Sequence, residues 1–204
     1  MDSIIFDLDG TLWDSSKTVL TAWNEILRKK DGINELTVED LQGTMGLQMH
    51  EIGKKLFPSL DDQAREQLLQ ECGDLENVYL ENSGGILYDS VEETLEALSE
   101  KYKLYIVSNC QEGYIETFYK YHQLEKYFLD FENPGRTGLS KGENIKLVIE
   151  RNSLSNPVYV GDTEGDLKAA RYAGIPFVYA TYGFGKVEDY DFAITSFAEL
   201  KQLF

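Results

Sequence analysis

The stretch "SIIFDLDGT", residues 3–11, decides how this chain is read. Ser3-Ile4-Ile5-Phe6 is a short apolar run of the kind that forms a buried parallel strand. It ends in two carboxylates spaced i, i+2, Asp7 and Asp9, followed by Gly10 and Thr11. Two acids placed side by side at the end of a buried strand call for a chemical reason, and the rest of the chain is read for its missing parts.

Further apolar runs repeat the first. Leu104–Val107, Tyr127–Phe131, Val158–Val160 and Phe177–Ala180 all read as buried strands. Helical patterns separate them, over Glu92–Lys101, Glu112–His122, Gly142–Glu150 and Asp166–Ala173, with a last helix over Ser196–Leu203. Strands alternating with helices predict an α/β fold: a doubly wound, mainly parallel, Rossmann-like sheet. Sites in such sheets lie at the carboxyl ends of the strands.

Residues 14–84 break the alternation. They contain no convincing strand and read as helices over Ser16–Lys30, Thr37–Gln42, Leu47–Leu56 and Asp61–Glu81. Thr37 with Asp40 three residues on forms a capping-box pattern, and Pro58 interrupts the periodicity. The expected organisation is an α/β core of residues 1–13 and 85–204 with an all-helical cap domain, 14–84, inserted after the first strand. The crossings near Leu12–Asp14 and Ser83–Ile86 are expected to be hinges, with Gly84-Gly85 supplying flexible backbone. Within the insert, "GTMGLQMHEIG" (Gly43–Gly53) is expected to face the site.

Asp162 and Asp166, in "VYVGDTEGD", follow one strand and open a helix. Parallel strands bring this end beside Asp7 and Asp9. Each close carboxylate pair repels by roughly 4 kcal/mol at moderate effective dielectric, so the cluster requires a cation. An all-oxygen donor set suits Mg²⁺. Capping alone explains an aspartate at one turn, but not two clusters at two strand ends. Ser108-Asn109 follows "LYIV" and reads either as a phosphate cradle or as a helix N-cap. Lys141 falls where a helix begins and opposes its dipole, so it is either a surface lysine or a charge placed for a phosphoryl group. His50 and His122 have no serine or cysteine partner, and no hydrolase triad is expected. The pairs Lys29-Lys30 and Lys54-Lys55 read as solvated helix faces.

The chain has 204 residues, a net charge of −17 and an apolar content of 42%. An acidic surface of this size disfavours nucleic acid and anionic membranes. It also demands that any phosphate site be locally positive. The two cysteines, Cys72 and Cys110, match no metal-ligand spacing and are expected as free buried thiols in a reducing cytoplasm. No signal-peptide pattern and no membrane-length apolar run is present.

"DLDGT", "IVSN", Lys141 and "GDTEGD", in that order at strand ends, resemble the haloacid dehalogenase superfamily. The helical insert makes the chain similar to its branch of phosphoglycolate phosphatases and β-phosphoglucomutases. The resemblance implies a Mg²⁺-dependent phosphatase of small phosphomonoesters. Asp7 would be the nucleophile and Asp9 the general acid and base, its backbone carbonyl also meeting Mg²⁺. Thr11 would buttress the loop, Ser108, Asn109 and Lys141 would bind the phosphoryl group, and Asp162 and Asp166 would complete the metal site. A sugar-phosphate mutase shares the same intermediate, and a non-catalytic binding protein would show eroded motifs. A dehalogenase, which attacks carbon, has no use for Asp9. Two features depart from the family pattern: Tyr88-Asp89-Ser90-Val91 replaces the usual Pro-Gly, and Gly142 follows the lysine. A site closed by its own helices needs no second subunit, so a monomer is expected.

Overall fold

Ile4 and Phe6 pack on one face of the central sheet and Ile5 on the other, which is why the opening strand is apolar throughout. In the computed structural model, which describes residues 1–204, this strand is β1 (Ser3–Phe6). It is the third of six parallel strands. The others are β4 (Lys103–Val107), β5 (Phe128–Glu132), β6 (Pro157–Gly161), β7 (Phe177–Ala180) and β8 (Phe192–Ile194). The order is β5-β4-β1-β6-β7-β8, so the chain winds outward on one side of β1 and then returns to wind outward on the other. The crevice where the winding reverses opens at the carboxyl ends of β4, β1 and β6.

One face of the sheet is covered by α5 (Val91–Ser99), α6 (Tyr114–His122) and α10 (Leu200–Leu203). The other is covered by α8 (Lys141–Arg151) and α9 (Glu164–Ala173). The doubly wound α/β reading is therefore correct. Two small elements here were not anticipated. β8 is an exposed edge of three residues, too short to show an apolar run. A single turn, α7 (Pro134–Thr137), starts at a proline capped by the Asn133 side chain. The expected final helix is a one-turn 3₁₀ segment, Phe197–Glu199, continued by α10.

The helical insert consists of α1 (Ser16–Leu27), α2 (Val38–Gln42), α3 (Met49–Leu56) and α4 (Asp62–Ser83). The Thr37–Asp40 capping box is present at α2. The insert is flanked by a ribbon that the sequence did not reveal. β2 (Trp13–Asp14) pairs antiparallel with β3 (Ile86–Leu87), Trp13 opposite Leu87. Two-residue strands carry no periodicity, so nothing in the composition marks them. Gly84, at φ +62°, is not a loose link: a Cβ there would lie 2.2 Å from the Tyr121 ring. Apolar side chains of the insert, among them Val19, Leu41, Phe57 and Leu68, join Ile4, Phe6 and Ile106 in one continuous core cluster.

Candidate active site

Three strand ends supply the site. Asp7 follows β1, and its amide donates to Val160 of the adjacent β6 (2.8 Å). Ser108 follows β4, and Asp162 follows β6. Between Asp7 and β2 the chain makes a tight turn in which the Gly10 and Leu12 amides donate to the Trp13 and Leu8 carbonyls (2.9 and 2.8 Å). Gly10 adopts φ +81°, and a Cβ there would lie 2.2 Å from Asp162 Oδ2. Only glycine lets the "DLDG" turn pass this close to the second aspartate pair.

At the centre lies a buried ionic cluster. Asp7 and Lys141 are 2% and 4% exposed. Lys141 Nζ lies 3.0 Å from Asp7 Oδ1 and 2.6 Å from Asp166 Oδ1. Lys141 opens α8, whose N-terminus is closed by a Ser140–Glu143 capping box, so the lysine need not serve the helix and turns inward. The surface-lysine alternative is thereby excluded. Asp166 Oδ2 accepts from the Asp162 amide (3.2 Å), the Thr163 amide (2.9 Å) and the Thr163 hydroxyl (2.7 Å). The Phe184 amide donates to Asp162 Oδ2 at 2.7 Å.

Oxygens of Asp7, Asp162 and Asp166 lie within 4.8 Å of one another. Three buried carboxylates face one ammonium, and the imbalance shows in their ionisation. Burial, then the Asp166 charge, pushes the Asp7 carboxyl up to about 7 against the pull of Lys141. Burial, then Asp166 and Asp7, pushes Asp162 up to about 8. Burial works against the Lys141 ammonium, but Asp166 and Asp7 outweigh it and hold its pKa above the ordinary lysine value. Asp162 Oδ1 is buried without any partner, and Asp7 Oδ1 meets Lys141 as an ion pair without hydrogen-bond geometry. Asp162 Oδ1 is thus free for a ligand, Asp7 Oδ1 already faces an ammonium, and both oxygens of Asp166 are occupied. The donor set would fit a hard divalent cation such as Mg²⁺, which Asp7 and Asp162 could hold with Asp166 beside them.

Asp9 lies apart from that cluster. Its Oδ1 accepts from Ser15 (2.6 Å) and from the Tyr114 hydroxyl (2.8 Å). Ser15 stands at the N-cap of α1 without capping it, because its hydroxyl is turned to Asp9. Burial raises the Asp9 pKa, while Ser15 and Tyr114 draw it back down. Thr11 is fully buried and its hydroxyl has no partner. The Ser108 side chain is buried and lines the cavity beside Asp7. Asn109 lines it too, and its Nδ2 donates to the Gly46 carbonyl of the insert (2.8 Å). His50 is exposed, and His122 meets Trp13 edge to face with ring centroids 5.6 Å apart and does not line the cavity. Cys72 and Cys110 are free and buried.

A cavity of about 70 Å³ joins Asp7, Asp9, Ser108 and Lys141 to the insert. Thr44, Met45, Gly46, Leu47, Met49 and Ile52 line it, so Gly43–Gly53 faces the site as expected. Sequence reading missed Ser15, Tyr114, Thr163 and the Phe184 amide. Two of them carried a signal: Thr163, three residues before Asp166 in a capping-box pattern, and Phe184, in the glycine-bracketed "YGFG" after β7.

The comparisons agree with this geometry. Residues 4–180 match the family model for haloacid dehalogenase-like hydrolases. A phosphoglycolate phosphatase of Aquifex aeolicus is 30% identical, the match covering 100% of this chain and 96% of that protein. A phosphoglycolate phosphatase of Vibrio vulnificus is 29% identical, over 97% of this chain and 93% of its own length. Among solved structures, a haloacid dehalogenase-like family hydrolase of Streptococcus pneumoniae superposes with a TM-score of 0.84 at 22% identity, covering 100% of this chain and 98% of that one. β-Phosphoglucomutase of Clostridium difficile gives 0.78 at 16% identity, covering 98% and 93%. These two likenesses establish the shared fold. With the family match spanning five of the six strands of the sheet and all four motifs, this chain belongs to the haloacid dehalogenase-like hydrolase family, in its phosphoglycolate phosphatase-like branch.

Proposed function

We propose that this protein is a Mg²⁺-dependent phosphatase of small phosphomonoesters that works through an aspartyl-phosphate on Asp7. The observation that carries the reading is the division between the two acids. Asp7 is fixed against Lys141 at 3.0 Å, while Asp9 is held by Ser15 and Tyr114 on the cavity wall. One carboxylate is placed to attack and the other to move protons.

An Asp7 oxygen attacks phosphorus, the ester P–O bond breaks, and the departing oxygen takes its proton from Asp9. A water molecule then gives a proton back to Asp9 and attacks the same phosphorus. The P–O bond to Asp7 breaks, and orthophosphate leaves. Lys141 faces the charge spread over the phosphoryl oxygens, and the Ser108 hydroxyl is free to donate to them. Mg²⁺, when bound by Asp7 and Asp162, supplies the positive charge that lets an anionic carboxylate meet an anionic phosphate. Residues 1–13 and 85–204 act as the catalytic unit, and 14–84 as a cap that excludes water from the transfer.

The test is phosphate release from p-nitrophenyl phosphate by the purified protein, with Mg²⁺ and after chelation. Turnover that needs Mg²⁺ and disappears in Asp7→Asn is expected. Full turnover in the chelated enzyme, or in Asp7→Asn, would overturn the proposal.

A further inference from the structure

Glu76, on α4 of the insert, lines the same cavity as Asp9 and is only 4% exposed. Its Oε1 accepts from Gln111 Nε2 at 2.9 Å, and its Oε2 from the Trp23 indole. Both partners are neutral, and no cation lies against it. The proposed chemistry gives this carboxylate no task. Burying a carboxylate with only neutral partners is costly, so its placement on the wall of a substrate cavity needs a reason.

The remaining walls sharpen the point. The only cationic side chain lining the cavity is Lys141, already paired with Asp7 and Asp166. The other lining side chains that donate strongly are also committed. Ser15 and Tyr114 donate to Asp9, Thr44 to Leu41, Trp23 to Glu76, Gln111 to Glu76 and Asn77, and Asn109 to Gly46. Only the Ser108 hydroxyl, beside Asp7 where the phosphoryl group arrives, and the second N–H of Asn109 Nδ2 remain uncommitted. Acceptors, by contrast, are in surplus. Asn109 Oδ1 is buried without a partner, and each Glu76 oxygen keeps a second lone pair. The Asn109 orientation follows from its bond to a carbonyl, which only its NH₂ can make. The side chains of Val19, Leu41, Met45, Leu47, Met49 and Ile52 add apolar wall that offers nothing to an anion.

Building on the phosphatase reading above, we infer that the substrate is the phosphomonoester of a small amino alcohol, whose ammonium is received by Glu76 against the Trp23 and methionine wall. An ammonium brings the positive charge and the donors that this wall lacks. A carboxylate on the leaving group would meet Glu76 as a like charge, with no unpaired cation to receive it. Burial pushes Glu76 up to about 7, with Gln111 and Trp23 drawing it down, so pH 8 favours the ionised carboxylate.

The experiment compares kcat/KM for phosphoethanolamine and 2-phosphoglycolate at pH 8 with saturating Mg²⁺, with p-nitrophenyl phosphate as the generic ester. The expected preference for phosphoethanolamine is about 100-fold, from removal of the like-charge contact. Glu76→Gln should lower that ratio about 10-fold or more, through KM, and Glu76→Asp should restore part of it. The wild-type ratio alone decides the case if either variant unfolds. Equal or better use of 2-phosphoglycolate, or a ratio that Glu76→Gln leaves unchanged in a protein of normal melting temperature, overturns the assignment of Glu76 while leaving the phosphatase reading intact. Failure of the wild type on all three esters overturns both.

Discussion

Asp166 accepts from Lys141 at 2.6 Å with one oxygen, while its other oxygen closes the loop that presents Asp162. One carboxylate thus aims the buried lysine and shapes the turn that carries Asp162. Its position explains why a lysine can stand at the first residue of α8 against the helix dipole: the partner on α9 outweighs the local penalty.

Lys141→Ala should therefore damage both turnover and stability. Loss of a preorganised charge facing the phosphoryl group is expected to reduce kcat by about 100-fold or more. Leaving Asp7 and Asp166 buried without their cation should cost about 3–5 kcal/mol in the metal-free protein. Denaturant titration in chelator, repeated with Mg²⁺, measures the second effect, and the added ion should recover part of it. A variant with ordinary turnover would show that the buried lysine does not act on substrate.

Asp7→Asn and Asp9→Asn should fail in different ways. The first removes the nucleophile and abolishes all turnover. The second leaves attack intact on an ester with a good leaving group, which needs little protonation, but removes the base for hydrolysis. Acid-quenched Asp9→Asn should carry a phosphoryl mass on Asp7 after exposure to p-nitrophenyl phosphate. Identical behaviour of both variants, with no trapped phosphate, would refute separate roles for the two acids.

Gly10→Ala should disrupt the metal site more than the fold. The added methyl would meet the Asp162 carboxylate at 2.2 Å and must adopt φ +81°. We expect weaker Mg²⁺ binding by calorimetry, with the far-ultraviolet spectrum unchanged. Unaltered Mg²⁺ affinity would mean that the turn relaxes without moving Asp162.

Glu76 should make stability depend on pH in a predictable direction. Its pKa is raised by burial to about 7 in the folded chain, from an ordinary 4.5. A raised carboxyl pKa adds stability that is fully present below the unfolded value and lost as pH climbs through the folded one. The wild type should thus lose up to about 3 kcal/mol relative to Glu76→Gln between pH 4.5 and 8. Urea midpoints of both proteins across that range provide the measurement, and parallel curves would contradict the burial of an ionising Glu76.

The strand ends were legible because each buried run stops abruptly at a polar residue: Phe6 to Asp7, Val107 to Ser108, Gly161 to Asp162. That change from core to crevice is local in the chain. The partners of Asp9 were not legible, since Ser15 looks like an ordinary helix cap and Tyr114 lies 105 residues away. Glu76 was hidden for a related reason. Helix α4 is rich in acids and reads as solvated, and only its docking on Trp23 and Gln111 takes this one out of water. Strands β2, β3 and β8 have two or three residues each, too few for any alternation to register.

The pairing of Trp13 with Leu87 and of Asp14 with Ile86 makes the helical segment a module with a single point of attachment. Its entrance and exit are neighbours, so a different module of any length can be grafted there without stretching the catalytic scaffold. Simple excision is another matter, because Val19, Leu41 and Phe57 belong to the apolar cluster that continues beneath the sheet. A chimaera would have to bring a greasy underside of matching shape, or expose the one left behind. Within that constraint the four aspartates stay with the sheet, and a recombinant carrying another module would change only the wall that faces them.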